Sequence, residues 1–467
     1  MAIAIDRELA GDINNPSTDV LKYCIEQHQK ELVRLQKLSD YYDGKHEVLE
    51  RKLENENAKN VKVMVNNAKY TTDMNVGFLV GNPISYSAGK DKNIDPVLDT
   101  YEDMDVVSHD TELEKDLSVF GIALELIYLR TVPGNDKETE IRIKVIDPRG
   151  VFLVTDDTIE KNSLFAVHYY EKFGLDGKSI GWLITVYTPN NNISHKAKDL
   201  TLKDMTINKA KPQYFGGVQV IEYRNNEEKQ GDFEQAISLI DAYNALQSDR
   251  ISDKEAFIDA LLIIYGFSLE GSVSDGMIEA PGKGDDGAAV EWLTKTFDES
   301  QIQLLSKSIE DNIHKVTYVP NMNDENFAGN ISGEAMKYKL FGLLQLMSIK
   351  SRYMTKGLRQ RLQLVANMIN LKGENIDVSG AKIKIKPNLP INTSDIIDQI
   401  VKAIDILPLE TLLSWLPDID DPQEEISKLI EQKKQNIEMA NMLGGQGASH
   451  DDLDDEPEED GDEVPKD

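Results

Sequence analysis

The sequence contains a single cysteine, Cys24, among its 467 residues. One thiol excludes an internal disulfide framework and is typical of proteins from a reducing compartment. Cys24 lies on the apolar face of a predicted helix, so we expect it to pack in the core. The opening residues, MAIAIDRELAGD, have no basic stretch ahead of an apolar run, and we therefore expect no secretion signal.

Long apolar runs are missing as well. The longest, ALLIIYGF at residues 260–267, is far shorter than the roughly 20 residues that a membrane helix needs. We therefore expect no membrane span. The apolar content of 40% and the charged content of 28% are ordinary for a folded, soluble protein.

Positive charge is scarce. The chain has 51 basic and 82 acidic residues, which gives a formal net charge of −31. Phosphate binding normally needs clustered lysine and arginine, so this balance argues against a basic groove that grips nucleic acid. Part of the negative charge lies in residues 446–467, where eleven carboxylates accompany Lys466 alone. Such a run cannot bury apolar surface, and we predict a disordered acidic tail.

Catalytic signatures are also lacking. The stretch GNPISYSAGKD resembles a phosphate-binding loop, but its glycines are too far apart and Asp91 replaces the required serine or threonine. HEVLE at His46 lacks the second histidine of a zinc helix, so we interpret it as a solvated charged turn. Lys283, Asp285 and Asp286 in PGKGDDG are better interpreted as a surface turn than as a metal site. We predict no enzyme, catalytic residue, metal or cofactor.

What is present is an alternation of helical and strand patterns, which predicts a helix-rich α+β fold. Helical periods cover the regions before residue 81, after Gly231 and near the C-terminus, while residues 120–224 contain short β-rich runs separated by turn signals. In EIRIKVID, the isoleucines and valine alternate with Arg142 and Lys144. His28 lies on an apolar helical stripe, and a packed core histidine is the preferred interpretation.

Two further helices flank an insert at residues 261–297. Asp232 is a plausible N-cap of the first of them. In the second, one face carries an apolar stripe formed by Ile302, Leu305, Ile309, Ile313 and Val316. An Asn-rich loop follows, and then a proline-free pattern from Gly333 to Leu371 predicts one continuous helix about 55–60 Å long, with Ser332 as its N-cap.

Four stretches of the sequence resemble the portal proteins of tailed double-stranded DNA phages, in the SPP1-like branch. They occur in that family's order over most of the chain: YYDGKH (41–46), VNNAKYTTDMNVGFLVGNPISY (65–86), VIEYRNNEEKQGDFEQAISLIDAYNALQSDRISDKEAF (220–257) and SGEAMKYKLFGL (332–343). None is a catalytic signature, but together they make a chance resemblance improbable. The proline that this family often has before the VIEY strand is absent.

The resemblance implies a portal-type fold whose subunits form a ring, usually of about twelve copies related by closed symmetry. It implies the following parts: a wing (1–231), two stem helices (232–260 and 298–318), a clip (261–297), a tunnel loop (319–332), a long wing spine helix (333–372), a crown (373–445) and the acidic tail (446–467).

The resemblance also implies a location and partners. The ring would be part of the virion at one capsid vertex, with assembly in the host cytoplasm, and double-stranded DNA would pass through it without sequence specificity. Its protein partners would be the terminase large subunit, a head-completion adaptor, and the major capsid and scaffolding proteins. Another ring-forming head–tail connector or adaptor is the alternative, although such chains are usually much shorter.

Three sets of site residues follow from this map. The DNA-facing tunnel loop would present Asn321, Asn323, Asp324, Asn326, Phe327 and Asn330. The channel face of the stem would carry Lys307, Glu310, Asp311 and His314. The clip would bind partners through Lys283, Asp285, Asp286 and Trp292.

Lysine in the tunnel loop should slow DNA packaging. Asparagine can make brief hydrogen bonds to phosphates without a fixed charge, whereas lysine adds an attraction that must be broken at every step. We expect Asn323→Lys and Asn326→Lys to reduce the packaging rate, measured as DNA protected from nuclease over time, while Asn→Gln at the same positions has little effect. Equal rates in the lysine variants and the unaltered protein would contradict a DNA-facing loop.

Overall fold

The computed structural model describes residues 2–54, 59–258, 261–265, 277–280, 289–293, 299–322, 333–389, 393–416, 419 and 422–444. The chain divides into two units, residues 1–389 and 390–467. The predicted acidic tail lies outside the described residues. The fold is mixed α+β and rich in helix, which confirms the predicted fold class.

Helices and strands alternate through the first unit. Its helices are α1 (Arg7–Ala10), α2 (Thr18–Tyr42), α3 (Asn67–Val80), α4 (Asp95–Asp103), α5 (Val106–Phe120), α6 (Ile237–Ile258), α7 (Glu299–Thr317), α8 (Gly333–Lys339) and α9 (Phe341–Leu371). Its strands are β1 (Ile3–Ile5), β2 (Ser85–Ser87), β3 (Ile122–Val132), β4 (Asn135–Ile146), β5 (Val151–Asp156), β6 (Ser163–Phe173), β7 (Ser179–Tyr187), β8 (Asn191–Ala197), β9 (Thr206–Pro212), β10 (Val220–Arg224), β11 (Leu261–Tyr265), β12 (Met277–Ala280), β13 (Ala289–Leu293) and β14 (Lys382–Lys384).

The β-rich region forms two sheets. One has six strands in the order β1-β5-β6-β7-β8-β9, antiparallel except for the β1–β5 pair, and the other has the order β10-β3-β4. The β-rich runs of residues 120–224 thus pair mainly as antiparallel hairpins between consecutive strands. Strands β8 and β9 were not predicted from the sequence, because their residues are largely polar and every residue of β9 is exposed. A strand with no buried face leaves no alternation to detect.

Cys24 and His28 lie on the predicted apolar stripe of α2, and both are buried. Cys24 is fully buried, and burial raises its pKa to about 12. His28 is buried too, with Nδ1 at 2.8 Å from the Tyr169 hydroxyl and Nε2 at 2.9 Å from the Pro148 carbonyl. Burial lowers the pKa of His28 to about 4, so the ring is neutral at pH 7. Both predictions of core packing are confirmed.

The predicted continuous helix from Gly333 to Leu371 is wrong at Leu340. The structure has α8 up to Lys339 and a separate α9 from Phe341, with Leu340 buried at the break. Gly342 lies against Tyr318, whose Cδ1 would be only 3.3 Å from a Cβ at that position. Glycine weakens a helix and permits this close approach, so the break occurs where the chain packs against the end of α7.

A buried lysine joins α9 to α5. Lys350 is 2% exposed, and its Nζ lies 2.6 Å from the carboxylate of Glu114 and 2.7 Å from that of Asp232. Burial raises the pKa of Glu114 to about 7, and Lys350 opposes the shift. Asn75 of α3 and Asn225 also donate to Asp232, at 2.8 and 2.7 Å. The prediction of Asp232 as an N-cap is therefore wrong, because its carboxylate holds Lys350 and α6 begins later, at Ile237.

A buried arginine, eleven residues after Lys350 on α9, makes a second junction. Arg361 is fully buried, with its guanidinium 2.7 Å from Asp110 of α5 and 2.8 Å from Glu125 of β3. His109 and the Tyr223 hydroxyl also contact Glu125, at 2.6 and 2.8 Å. Burial alone would raise the pKa of Glu125, but Arg361 and His109 lower it to about 2. Glu125 is thus ionised at any pH near neutrality.

The remaining described segments are two small sheets and the helices of the second unit. Strand β11 pairs with β12 in parallel and with β13 in antiparallel orientation, and β14 pairs with β2. In the second unit, α10 (Thr393–Ala403), α11 (Leu409–Leu413) and α12 (Pro422–Gly444) form a helical cluster in which α11 contacts both others. Across the described ranges, no helix is long and apolar enough to span a membrane.

Replacement of Glu114 should change how stability depends on pH. The folded pKa of about 7 exceeds the usual 4.5, so the contribution of this carboxyl to stability is full below pH 4.5 and is lost as pH rises through 7. Glu114→Gln removes that loss. We expect the free energy of unfolding of the variant, relative to the unaltered protein, to increase by about 3 kcal/mol between pH 4.5 and 8.

Urea denaturation at the two pH values, at one protein concentration, measures this difference. Glu112→Gln provides a matched control, because Glu112 lies on the same helix with its side chain 61% exposed. An equal pH dependence in Glu114→Gln and the unaltered protein would contradict the assigned pKa shift.

Candidate functional site

The predicted stem is a pair of packed helices, α6 and α7. Gln247 of α6 donates to the Ser306 hydroxyl of α7 at 2.7 Å, and Arg250 forms an ion pair with Glu299. The buried positions of α7 are Ser306, Ile313 and Thr317. Of the predicted stripe, Ile302 and Ile309 are half-buried, whereas Leu305 and Val316 are exposed, so the stripe was only partly right. Two small polar residues replace leucine and valine on the packed face.

The four predicted channel residues of α7 differ in their surroundings. Lys307 and Asp311 are exposed. Glu310 and His314 are half-buried and make local contacts: Glu310 accepts from Asn321 at 3.1 Å, and His314 Nδ1 donates to the Val319 carbonyl at 2.9 Å. The latter two therefore order the chain that leaves α7.

The start of the predicted tunnel loop is fixed to α3. The Tyr70 hydroxyl donates to the Pro320 carbonyl at 3.1 Å and accepts from the Met322 amide at 3.4 Å. Tyr318 has a φ of +59°, a left-handed conformation that turns the chain sharply at the end of α7. Residues 318–322 thus form an ordered root from which the loop departs.

Of the residues predicted for the tunnel loop and the clip, Asn321 and Trp292 lie in the described part of the chain. Asn321 lies in the root, whereas Asn323, Asp324, Asn326, Phe327 and Asn330 lie outside the described residues. Trp292 is on β13, opposite Leu262 of β11. Lys283, Asp285 and Asp286 also lie outside the described residues.

The sequence analysis missed a polar ladder along α6. The backbone amides of alternate residues 61, 63 and 65 donate to the side chains of Ser252, Ser248 and Asn244, at 3.0, 3.0 and 2.9 Å. Four residues of helix advance about 6.0 Å and two extended residues about 6.6 Å, so acceptors at every fourth helical position match every second amide. Residues 61–65 therefore form a strap that is held along α6.

The ladder continues into the segment before the strap. Asn244 Nδ2 donates to His46 Nδ1 at 2.9 Å, and His46 Nε2 donates to the Tyr41 carbonyl at 2.9 Å. The rings of Tyr41 and His46 stack at 4.6 Å, and the Tyr41 hydroxyl donates to Asp241 of α6 at 2.6 Å. His46 is 1% exposed, so its prediction as part of a solvated turn is wrong. Its partners are Tyr41, five residues earlier in the chain, and Asn244 of α6, which is distant in sequence.

A signal for the ladder was present in the sequence. Small polar residues at positions 244, 248 and 252 recur at the helical spacing, and VKVMV at 61–65 is strongly β-prone. Their pairing spans almost 200 residues of chain and could not be deduced from either pattern alone. In the described part of the chain, no group of three metal-ligating side chains occurs. The site is an assembly of positioning contacts.

Comparisons with known proteins show the family to which the chain belongs. The chain matches the family described as Phage portal protein, SPP1 Gp6-like, over residues 21–439. It is also similar to the portal protein of Bacillus phage SPP1, with 22% identity over 490 aligned residues, which cover 96% of this chain and 93% of that protein. The matched region includes α6, α7, the strap and α9.

Loss of the Asn244 side chain should release one end of the strap. Asn244→Ala leaves the Val65 amide and His46 Nδ1 without their partners, and an unpaired buried group costs about 1–3 kcal/mol. We expect hydrogen exchange at Val65 to accelerate at least tenfold, while exchange at Val61, held by Ser252, changes much less. Asn312→Ala on α7, where the side chain is exposed, serves as control. Equal protection of Val65 in both variants would contradict the ladder.

Proposed function

The chain belongs to the SPP1 Gp6-like phage portal proteins, and from that premise we propose that its copies form the ring through which the viral genome enters and leaves the capsid. Phage portal proteins are structural parts of the virion capsid. The proposed ring has about twelve subunits in closed cyclic symmetry. DNA packaged by the terminase motor would pass along its axis and later be ejected by the same route.

The observation that carries the proposal is the family match over residues 21–439 together with the anchored stem pair. A conduit needs walls that stay in place while DNA moves. The strap and the His46 contacts attach α6 to the N-terminal region, and Tyr70 attaches the root of the loop to α3. Both attachments lie at the same pair of helices that we assign to the channel wall.

The charge of the chain suits passage rather than retention. Each phosphate that a lysine neutralises releases counterions and adds salt-dependent affinity, which opposes sliding. On the proposed channel face, exposed Lys307 is close in sequence to exposed Asp311, one turn further along α7. Such a mixed surface guides a polyanion weakly, and we propose no sequence-specific contact.

We assign docking sites for other proteins from the positions of the clip, wing and crown in the chain. We assign the clip, residues 261–297, to the terminase large subunit during packaging and to a head-completion adaptor afterwards, with Lys283, Asp285, Asp286 and Trp292 as candidate contacts. We assign the wing and crown to major capsid and scaffolding proteins. No catalytic role is proposed for this chain, since its family is structural.

Electron microscopy of the purified protein tests the ring directly. We expect end-on views with about twelve-fold symmetry and a central channel wide enough for a DNA duplex. Analytical ultracentrifugation over a range of concentrations gives the mass of the same particles. A monodisperse monomer at every concentration would overturn the proposal, and a closed particle without a channel would overturn its DNA role.

A further inference from the structure

Helix α9 carries charge of one sign only, opposite to that of the chain as a whole. Its 31 residues include five basic residues and no acidic one, whereas the net charge of the chain is −31. Lys350 and Arg361 are buried in the ion pairs described above. The other three, Arg352, Lys356 and Arg359, are exposed, and within the described ranges none of them forms an ion pair with an acidic residue.

The three exposed cations form a narrow line along α9, which we call the basic stripe. Arg352, Lys356 and Arg359 are separated by four residues and then by three, so their directions around the helix axis differ by at most about 60°. The outer two are about 10.5 Å apart along the axis. Like charges at these spacings weaken a helix. Lys356 also lies over the ring of Tyr353 at 5.0 Å, a contact that leaves its charge in place. An acidic surface of the same length would neutralise the stripe.

Helix α4 carries a stripe of the opposite charge and the same spacing. Asp95, Asp99 and Glu102 are again separated by four residues and then by three, all three are exposed, and α4 has no basic residue. In the part of the chain that the structure describes, none of these carboxylates forms an ion pair. Asp95 lies in the first turn, where the helix dipole favours a negative charge, but Asp99 and Glu102 lie beyond it. We call these three residues the acidic stripe.

The two stripes do not neutralise each other within one copy, although their helices are in contact. Helices α4 and α9 meet through their apolar sides: Val97 and Tyr101 of α4 belong to the same buried cluster as Leu358 and Leu362 of α9. The charged residues lie outside this contact, and no ion pair joins the stripes across the described residues. Each copy therefore presents a basic stripe and an acidic stripe as separate surfaces.

We propose that the basic stripe of one copy binds the acidic stripe of the next copy in the ring. This inference rests on the proposed function, since it assigns surfaces to the contact between neighbouring subunits. In a cyclic ring of more than two copies, each contact joins two different patches of the subunit. Two helices of opposite charge supply such a pair of patches, and their equal spacing brings three ion pairs into register together. In the closed ring every stripe has a partner.

Charge complementarity favours a second copy over DNA as the partner of the basic stripe. A second copy supplies carboxylates at the spacing of the three cations, and each single ion pair, although weak, is repeated three times in every contact. A DNA duplex is repelled at long range by the net charge of −31. Three cations also release few counterions from DNA, so they would hold it weakly.

Charge reversal in the full chain tests the proposal. One variant combines Lys356→Glu with Arg359→Glu and reverses the basic stripe, and the other combines Asp99→Lys with Glu102→Lys and reverses the acidic stripe. Analytical ultracentrifugation at about 0.15 M salt gives the protein concentration at which half of the chains are in rings. We expect this concentration to rise at least about tenfold for each variant alone, because attraction becomes repulsion at every contact.

An equimolar mixture of the two variants should restore assembly. In a ring where the two variants alternate, each reversed stripe meets a reversed stripe of the opposite charge, so every contact is attractive again. We expect the mixture to assemble within about threefold of the concentration that the unaltered protein needs. A mixture that assembles no better than its separate components would overturn the proposal.

The matched control combines Lys209→Glu with Lys211→Glu on the exposed strand β9, which changes the net charge by the same amount as the α9 variant. We expect the control to assemble like the unaltered protein. Equal assembly of the α9 variant and the control would overturn the proposal and leave the ring itself intact. Failure of the unaltered chain to form a ring would instead overturn the proposed function.

A milder variant and a DNA arm complete the test. Lys356→Gln with Arg359→Gln removes the charges without reversing them, and we expect a rise of about threefold in the same concentration; no rise would contradict the proposal. A fluorescent DNA duplex that binds the unaltered protein and the α9 charge-reversal variant equally weakly fits the proposal. Tight DNA binding that is lost in that variant while ring assembly is unchanged would overturn it.

Discussion

The structure depends on the burial of two cations from one helix. Lys350 and Arg361 project from α9 into a layer of carboxylates supplied by α5, β3 and the turn before α6. Removing one partner of such a pair is strongly destabilising, because it leaves a buried charge uncompensated. Each cation also has more than one acidic neighbour, so the helix cannot slide or rotate without separating several charges at once. Apolar packing alone would fix the position and rotation of α9 less specifically.

The helix α3 connects this charged core to the proposed channel. Its Asn75 donates to Asp232, which binds Lys350, and its Tyr70 holds the root of the loop after α7. The distance between these two attachments is little more than one helical turn of α3. A change in the loop is therefore mechanically close to the buried ion pairs, because both are hydrogen-bonded to α3. The strap leads directly into the N-terminal end of α3, which begins at Asn67.

Much of the fold was predictable from local patterns. The alternation in residues 139–147 correctly predicted a strand. The apolar stripe on α2 correctly predicted a helix and the packing of His28. Both patterns are local because they reflect burial against any apolar partner. The buried charges were not predictable: Glu114, Glu125, Lys350 and Arg361 resemble surface residues until their partners are known. For the same reason His46 was misassigned and Asp232 was given a capping role. The break at Leu340 lies two residues before Gly342, which packs against the ring of Tyr318, and no helical period records that contact.

The ladder between the strap and α6 has a further consequence. The helical repeat of four residues and the extended repeat of two residues differ by about 0.6 Å. This mismatch adds up along the ladder, so a fourth amide would be displaced from its acceptor by almost 2 Å. The sequence ends the ladder on both sides, since Ile240 and Ala256 occupy the next helical positions and neither has a side-chain acceptor. A shift of α6 by one turn would leave an amide facing one of these residues. Helix α6 therefore has a single stable axial setting against the strap, specified by three small polar side chains.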